Sequence, residues 1–297
     1  MGSFIGHVVP GSFFILVSLW WTVQILRRYF RSLQVGRLTH ESTFTSSVTF
    51  PIKRRSNGRE FNLEAYVGIV CVVLGMLMEL VASPIRSGSI GAGNVQHATM
   101  FFFFGFGCFL ALVLPKLKAV PDPDTVCYIW LAFAYIAEGL LFKFHLYGRT
   151  GVDVQLHMLL VYTIFAGAVC TLCECCFRHN VFLALGRAFM TCLQGTWFFH
   201  AAFFLYPPFS DPWGHLHSHG HDASPEMGKE MHNTMMMIAC AYTWHAAAIF
   251  VLMLVLCCFI GSCYDRRGSG LRHEMHVNGS GPVANGYDPL TTNIDDE

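Results

Sequence analysis

Charge is what this sequence has little of. Only 13% of its 297 residues are Asp, Glu, Lys or Arg, against about 25% in an ordinary soluble domain, so it lacks the charge that a water-facing surface needs. Net charge is absent as well. The 19 Lys and Arg cancel the 19 Asp and Glu, which leaves no electrostatic basis for a nucleic-acid or polyanion partner. Nucleophile elbows, phosphate-cradling glycine loops, dinucleotide fingerprints and the HExxH zinc pattern are missing too, and no internal repeat is evident. What is present is apolar bulk: 54% hydrophobic residues with 27 Phe and 6 Trp, at a mean hydropathy of +0.46. That composition excludes a chain disordered throughout. Fifteen His are many for such a chain, and their placement is the main question.

A bilayer core about 30 Å thick needs roughly 20 apolar residues per helix. Seven stretches meet this: Val8–Leu26, Ala65–Ala82, Ala98–Pro115, Val126–Tyr147, Gln155–Phe177, Val181–Tyr206 and Met235–Gly261. They are apolar on all sides, as lipid-solvated helices are, and lack the alternation of membrane β-barrels. The expected fold class is an all-α integral membrane protein, a seven-transmembrane-helix bundle over residues 1–266 with a disordered tail over 267–297. The first span reads as a retained helix and not a signal peptide. No positive charge precedes it, no Ala-x-Ala-like site follows, and Arg27, Arg28 and Arg31 come straight after. Gly6 breaks the myristoylation pattern.

Orientation follows from Lys and Arg. Eight lie in Arg27–Arg59, including Lys53, Arg54 and Arg55; with Lys116, Lys118, Arg178, Arg187, Arg266, Arg267 and Arg272 that side holds 15 of 19. The other side has Arg86, Lys143, Arg149 and Lys229. The N-terminus is therefore expected outside or lumenal and the C-terminus cytoplasmic, in the plasma membrane or an endomembrane. None of the 12 Cys falls in an outer loop, so no disulfide framework is implied. Cys173, Cys175, Cys176, Cys257, Cys258 and Cys263 cluster at cytoplasmic helix ends. They read as small apolar residues or as palmitoylation sites. In the tail, Tyr287-Asp-Pro-Leu290 has the form of a tyrosine sorting signal. Asn278-Gly-Ser280 is a glycosylation sequon that a cytoplasmic tail leaves unmodified.

Eleven of the 15 His lie in outer loops or in the outer halves of helices, and only His40, His179, His273 and His276 are on the basic side. His7, His97, His145, His157, His200 and His245 stand at or inside helices, joined by Glu79, Glu138 and Asp153. Ionisable groups within a span are costly and normally face a partner or a water-filled cavity, so one shared outer-facing cavity is expected. Imidazole with carboxylate suits zinc, which makes His97, His145, His157, His200, His245, Glu79 and Glu138 the candidate metal ligands, with metal-dependent hydrolysis as the enzymatic extension. A proton or ion pathway is the second reading. Two-haem ligation is disfavoured because the His lie on one face. The non-functional reading is a hydrogen-bonded network, Gln194 included, that joins helices. A non-catalytic scaffold or trafficking protein, acting through the basic first loop and the tail, is the alternative from another class. The loop run His215, His217, His219 and His221 has the composition of a weak Zn²⁺ or Cu²⁺ binder.

Several blocks of residues resemble a known family. Gly6-His7-x-x-Pro10-Gly11-x-x-Phe14 leads to Trp20-Trp21, and His97-x-Thr-Met-Phe-Phe-Phe-Phe-Gly105 follows. Next come His145-x-x-Gly148-Arg149 with Asp153 and His157-x-Leu-Leu, then Leu193-Gln194-Gly195-x-Trp197-Phe198-Phe199 running to Tyr206-Pro207-Pro208, and Trp244-His245. In this order they resemble the transmembrane protein 45 family. The resemblance implies seven helices in a multi-pass membrane protein without an established activity, so it carries over no catalytic residue. Members often have a His pair where this chain has Gln96-His97, a second His at Tyr147, and Gln at His200, which alters any ligand set.

Overall fold

A computed structural model of the chain describes residues 3–39, 44–53, 60–146, 148–149, 151–208 and 225–278. Helix α1 (Phe4–Thr39) precedes a two-residue antiparallel hairpin, β1 (Ile52–Lys53) and β2 (Glu60–Phe61), paired Ile52 to Phe61 and Lys53 to Glu60. Helix α2 (Leu63–Leu77) runs through a π-helical turn, Met78–Ala82, into α3 (Ser83–Ser87). Helix α4 (Ala92–Val113) ends in a 3-10 turn, Leu114–Lys116. Helices α5 (Pro123–Phe144), α6 (Gly151–Cys176), α7 (Val181–Leu205) and α8 (Pro225–Asn278) follow. Among the described residues, seven helical stretches are long and apolar enough to cross a bilayer, matching the seven expected. The chain is a multi-pass integral membrane protein.

Local chemistry sets several boundaries. Asn62 Oδ1 accepts from Ala65 N at 3.2 Å, and Asn180 Oδ1 from Phe182 N at 2.9 Å, capping α2 and α7. At α5, Asp122 caps Thr125 N at 3.2 Å and Pro123 takes the first helical position, where its missing N–H costs nothing. The hydrogen bonds from Thr125 hold the Asp122 carboxyl below the usual carboxylate range. Pro84 has no N–H to return to Leu80, and the Ser83 N–H reaches Met78 O instead, which widens the turn around Glu79.

Helices α1, α5, α6 and α7 form the centre; α4 lies against α5 and α2 against α4, and α8 lies against α1, α6 and α7. The α1–α7 crossing is a backbone contact. A Cβ on Gly195 would lie 2.8 Å from Ile15 N and 2.9 Å from Gly11 O, so glycine at both positions lets the helices meet where lipid gives no hydrophobic drive to association. Phe14, Tyr135, Phe142, Leu156, Leu160, Trp197 and Phe198 fill the middle of this group.

Two expected features differ. Helix α8 continues through the stretch from Arg267, expected to be disordered, as far as Asn278. No proline interrupts residues 226–278, and the two glycines after Arg267 do not end the helix. The remainder of the tail, with Tyr287, lies outside the described residues. The segment after α1, expected to be a basic solvent loop, instead turns inward at residues 44–50. Phe44, Ser46, Ser47, Val48 and Phe50 are buried against α1, α5 and α7.

Candidate functional site

Most of the expected site residues occupy the end of the bundle that carries the start of α1, here the histidine end, in three groups. His97 Nδ1 lies 3.1 Å from Glu79 Oε1, and Asn94 Nδ2 donates to Glu79 Oε2 at 2.8 Å. His145 Nδ1 is 2.7 Å from Gln96 Oε1, and the His97 and His145 rings are 5.5 Å apart. A second group holds His157 Nδ1 at 2.8 Å from Asp153 Oδ1, while Arg149 Nη1 donates to both Asp153 oxygens at 3.1 and 2.9 Å. His7 stands edge-on to His157 at 5.7 Å and beside Tyr206 at 5.3 Å, whose hydroxyl burial pushes above the ordinary phenol range. In a third, His200 stacks on Trp197 at 4.5 Å and meets the His245 ring edge-on at 5.3 Å.

The residues thus fall into three groups, the first two joined by Arg149, whose Nε donates to His145 O at 3.2 Å. Among the described residues, no group of three or more His, Cys, Asp or Glu is placed to hold a metal ion. The reason is helix rotation. His97, His145 and His157 each have a polar partner on their own or a neighbouring helix, as His157 has in Asp153 one turn earlier, while His200 and His245 pack against Trp197 and each other. His215, His217, His219 and His221 lie outside the described residues. Among the candidate acylation sites, Cys176, Cys258 and Cys263 are exposed, whereas Cys173, Cys175 and Cys257 are partly covered.

Glu138 belongs to none of the three groups. It is buried on α5, takes a 2.8 Å hydrogen bond from Gln194 Nε2 through Oε1, and has no partner for Oε2 among the described residues. From here a column of buried polar side chains runs toward the other, basic end. Tyr128, Tyr135 and Glu138 are seven and three residues apart on α5, and Arg187, Thr191 and Gln194 are four and three apart on α7, spacings that put each set on one helix face. The faces meet. Tyr135 Oη is 2.7 Å from Thr191 Oγ1, and Thr191 Oγ1 donates to Arg187 O at 2.8 Å. Arg187 Nε donates to Glu174 Oε2 at 2.6 Å, Nη2 donates to Ser47 O at 3.1 Å, and the guanidinium lies over the Trp21 ring at 4.1 Å. Tyr128 Oη donates to Glu174 Oε1 at 2.9 Å and is 2.9 Å from Ser46 Oγ. Along α5, Tyr128 to Glu138 spans about 15 Å, half a bilayer core.

On the histidine side of Glu138 the column is interrupted by phenylalanine. Phe14 stacks on Phe198 at 6.0 Å, Phe142 meets Phe198 edge-on at 5.6 Å, and Phe142 in turn faces the His157 ring at 6.3 Å. Hydropathy reading had placed Glu138 and Gln194 in the polar network. By sequence Arg187 counts among the charges of the basic end, and nothing singles out Glu174, Tyr128, Tyr135 or Thr191 individually. The available signal was an Arg six residues inside an apolar helix with a Glu near the close of the preceding one, opposite charges on the two arms of a short hairpin.

Comparison with known proteins agrees with the membrane architecture. Residues 124–258, from the first turn of α5 into α8, match the model described as a family of unknown function, DUF716. The chain is 24% identical over 234 residues to transmembrane epididymal protein 1A of Mus musculus, covering 72% of this chain and 70% of that protein. Its similarity to transmembrane epididymal protein 1 of Rattus norvegicus is 24% identity over 231 residues, with coverage of 72% and 70%. The part matched by the family model holds α5, α6 and α7, and so every helix that lines the polar column except α1.

Proposed function

We propose that this protein moves protons within the membrane, along the column that joins Glu174 and Arg187 to Glu138 and, beyond the phenylalanine layer, to His157 and His7. The observation that carries the reading is Glu138 itself: a buried carboxyl group, bonded to Gln194 one helix turn beyond the Tyr135–Thr191 pair, with one oxygen unpartnered among the described residues. Intramembrane carboxylates, imidazoles and tyrosines in sequence serve as proton relays. With phenylalanine on one side and the Phe44–Phe50 segment on the other, Glu138 is closed off from both ends, as an occluded state requires. In this reading the histidine end faces outside or lumen and the basic end faces the cytoplasm, following the bias of Lys and Arg. The blocks around His7, His97, His157, Gln194 and His245 support placement in the transmembrane protein 45 family. A metal hydrolase gains no support from the geometry, because the candidate ligands stand in separate groups.

Purified protein in liposomes containing a pH-sensitive dye, driven by a potassium diffusion potential, tests this directly. Wild type should acidify or alkalinise the lumen faster than protein-free liposomes, and Glu138→Gln should return the rate to that background while keeping the folded bundle. Wild-type flux no higher than background, or equal flux in wild type and Glu138→Gln, overturns the proposal and leaves the column as a structural network.

A further inference from the structure

We infer that residues 44–50 form a gate at the basic end of the polar column, holding it shut against the solvent on that side; the inference rests on the proton reading for what passes but not for where the barrier lies. This segment has neither helix nor strand structure, so its polar groups depend on the bundle, and they find partners in the column. Ser46 N donates to Arg178 O at 2.8 Å, Ser46 Oγ is 2.9 Å from Tyr128 Oη, and Ser47 O accepts from Arg187 Nη2 at 3.1 Å. Phe50 N donates to Glu64 Oε2 at 3.2 Å, and Glu64 also accepts from the indole N–H of Trp20 at 3.0 Å. Phe44, Val48 and Phe50 alternate along the segment and bury their side chains, 4%, 8% and 4% exposed, as anchors on either side of the two serines.

Ser46 and Ser47 have two sides. Inward they touch Tyr128 and Arg187. Outward they line a cleft of about 400 Å³ together with Arg28, Asp124 and Arg178. One layer of the segment thus separates the cleft from the buried Arg187–Glu174 pair. An irregular buried segment is held by side-chain contacts and not by a helical ladder, so it can lift without unwinding any helix. Its withdrawal would leave Tyr128, Glu174 and Arg187 facing the cleft, where water can replace the bonds that Ser46 and Ser47 supply. The Phe14, Phe142 and Phe198 layer would still close the far side, which is the arrangement that alternating access needs.

Cys127 is a native reporter of this opening. It borders the cleft but is 6% exposed, covered by Val48 of the segment together with Leu114 and Tyr128, so its labelling reports withdrawal of Val48, whereas Cys176 is exposed and serves as the internal reference. Full-length protein in liposomes is labelled with a membrane-impermeant maleimide, the modified sites are mapped by mass spectrometry, and proton flux is measured on the same preparation. Wild type should leave Cys127 protected relative to Cys176. Phe44→Ser with Phe50→Ser should raise Cys127 labelling about tenfold, as expected for a local opening, and should raise flux that Glu138→Gln still abolishes. Val48→Ala, a smaller change directly over Cys127, gives the same direction if the double variant fails to fold. Cys127 labelled as fast as Cys176 in wild type overturns the gate, as does an uncovered Cys127 with unchanged flux in a protein that conducts. Cys127 uncovered in a variant when neither chain conducts supports the barrier and refutes the proton reading, so the two fail separately.

Discussion

Arg187 and Glu174 meet at 2.6 Å with neither side chain exposed, one on each helix of the α6–α7 hairpin and both inside the bundle. Two opposite charges in this setting hold each other, and a third group, Ser47 O, accepts from Arg187 Nη2, while Nη1 has no partner among the described residues. Removing one partner leaves the other charge uncompensated. Arg187→Ala or Glu174→Ala should therefore destabilise the protein by about 3–5 kcal/mol, read as loss of monodisperse protein and a lower Tm in detergent. Arg187→Met with Glu174→Leu should lose much less than either single change, because the desolvation cost goes with both charges. A double variant no better than the singles would show that the pair acts through its bonds to Ser47 and Tyr128 more than through its charge balance.

Gln194 has one described duty, which is to donate to Glu138. Gln194→Leu keeps the volume but removes the donor, and leaves both carboxyl oxygens of Glu138 without a partner among the described residues. A loss of about 1–3 kcal/mol follows from leaving a buried acceptor unsatisfied. Adding Glu138→Leu to Gln194→Leu should recover part of it, since replacing both partners by apolar groups removes the unsatisfied oxygen. Thermal unfolding of the three variants checks the sign. Recovery absent from the double variant would mean that the two residues are not coupled.

The seven spans were legible because a bilayer demands runs of about 20 apolar residues, and these runs are long in this chain. The site was legible as a set of residues but not as an arrangement. His97, His145, His157, His200, His245, Glu79 and Glu138 each stand out as polar groups in apolar surroundings. Which of them meet depends on how each helix is rotated about its axis. In a bundle whose lipid face and interior are equally apolar, hydropathy does not encode that rotation. Arg187 was hidden for a related reason: six residues into α7 it adds to the positive charge at the basic end, and only its contact with Glu174 and Trp21 shows it to be internal. Residues 44–50 fall within the basic first loop, although Phe44, Ser46, Val48 and Phe50 carry a period-two pattern that suits a chain lying extended on a surface.

Gly195 faces backbone, not side chain, across the α1–α7 crossing. An alanine there places its Cβ 2.8 Å from Ile15 N, a distance that no rotamer change relieves, so the helices must separate. Gly195→Ala should cost about 1–3 kcal/mol, whereas Gly186→Ala on the same helix, where the nearest atom is Cys170 Sγ at 3.5 Å, should be near neutral. Separation at Gly195 also strains the Phe14–Phe198 stack, one turn away on both helices. The variant should therefore show a lower Tm and a higher Glu138-dependent flux together if the phenylalanine layer is the outer barrier.

The sign of the whole arrangement in the membrane rests on the basic end facing the cytoplasm, and exposed cysteines at that end can report it. Cys176 closes α6 and Cys263 lies far along α8, both exposed and both on the side that holds most Lys and Arg. In intact cells an impermeant maleimide should leave them unmodified, and selective permeabilisation of the outer membrane surface should make them reactive. Asn278, the last residue of α8, gives an independent reading of the same end, since its sequon should stay free of glycan. Labelling of Cys176 in intact cells, or a glycan on Asn278, would reverse the orientation. The gate at residues 44–50 would then face outside or lumen, and the His7–His157–Asp153 group would become the proton entry on the cytoplasmic side. The column itself would be unchanged, because its order from Glu174 through Arg187 to Glu138 is set by helix packing and not by the direction of insertion.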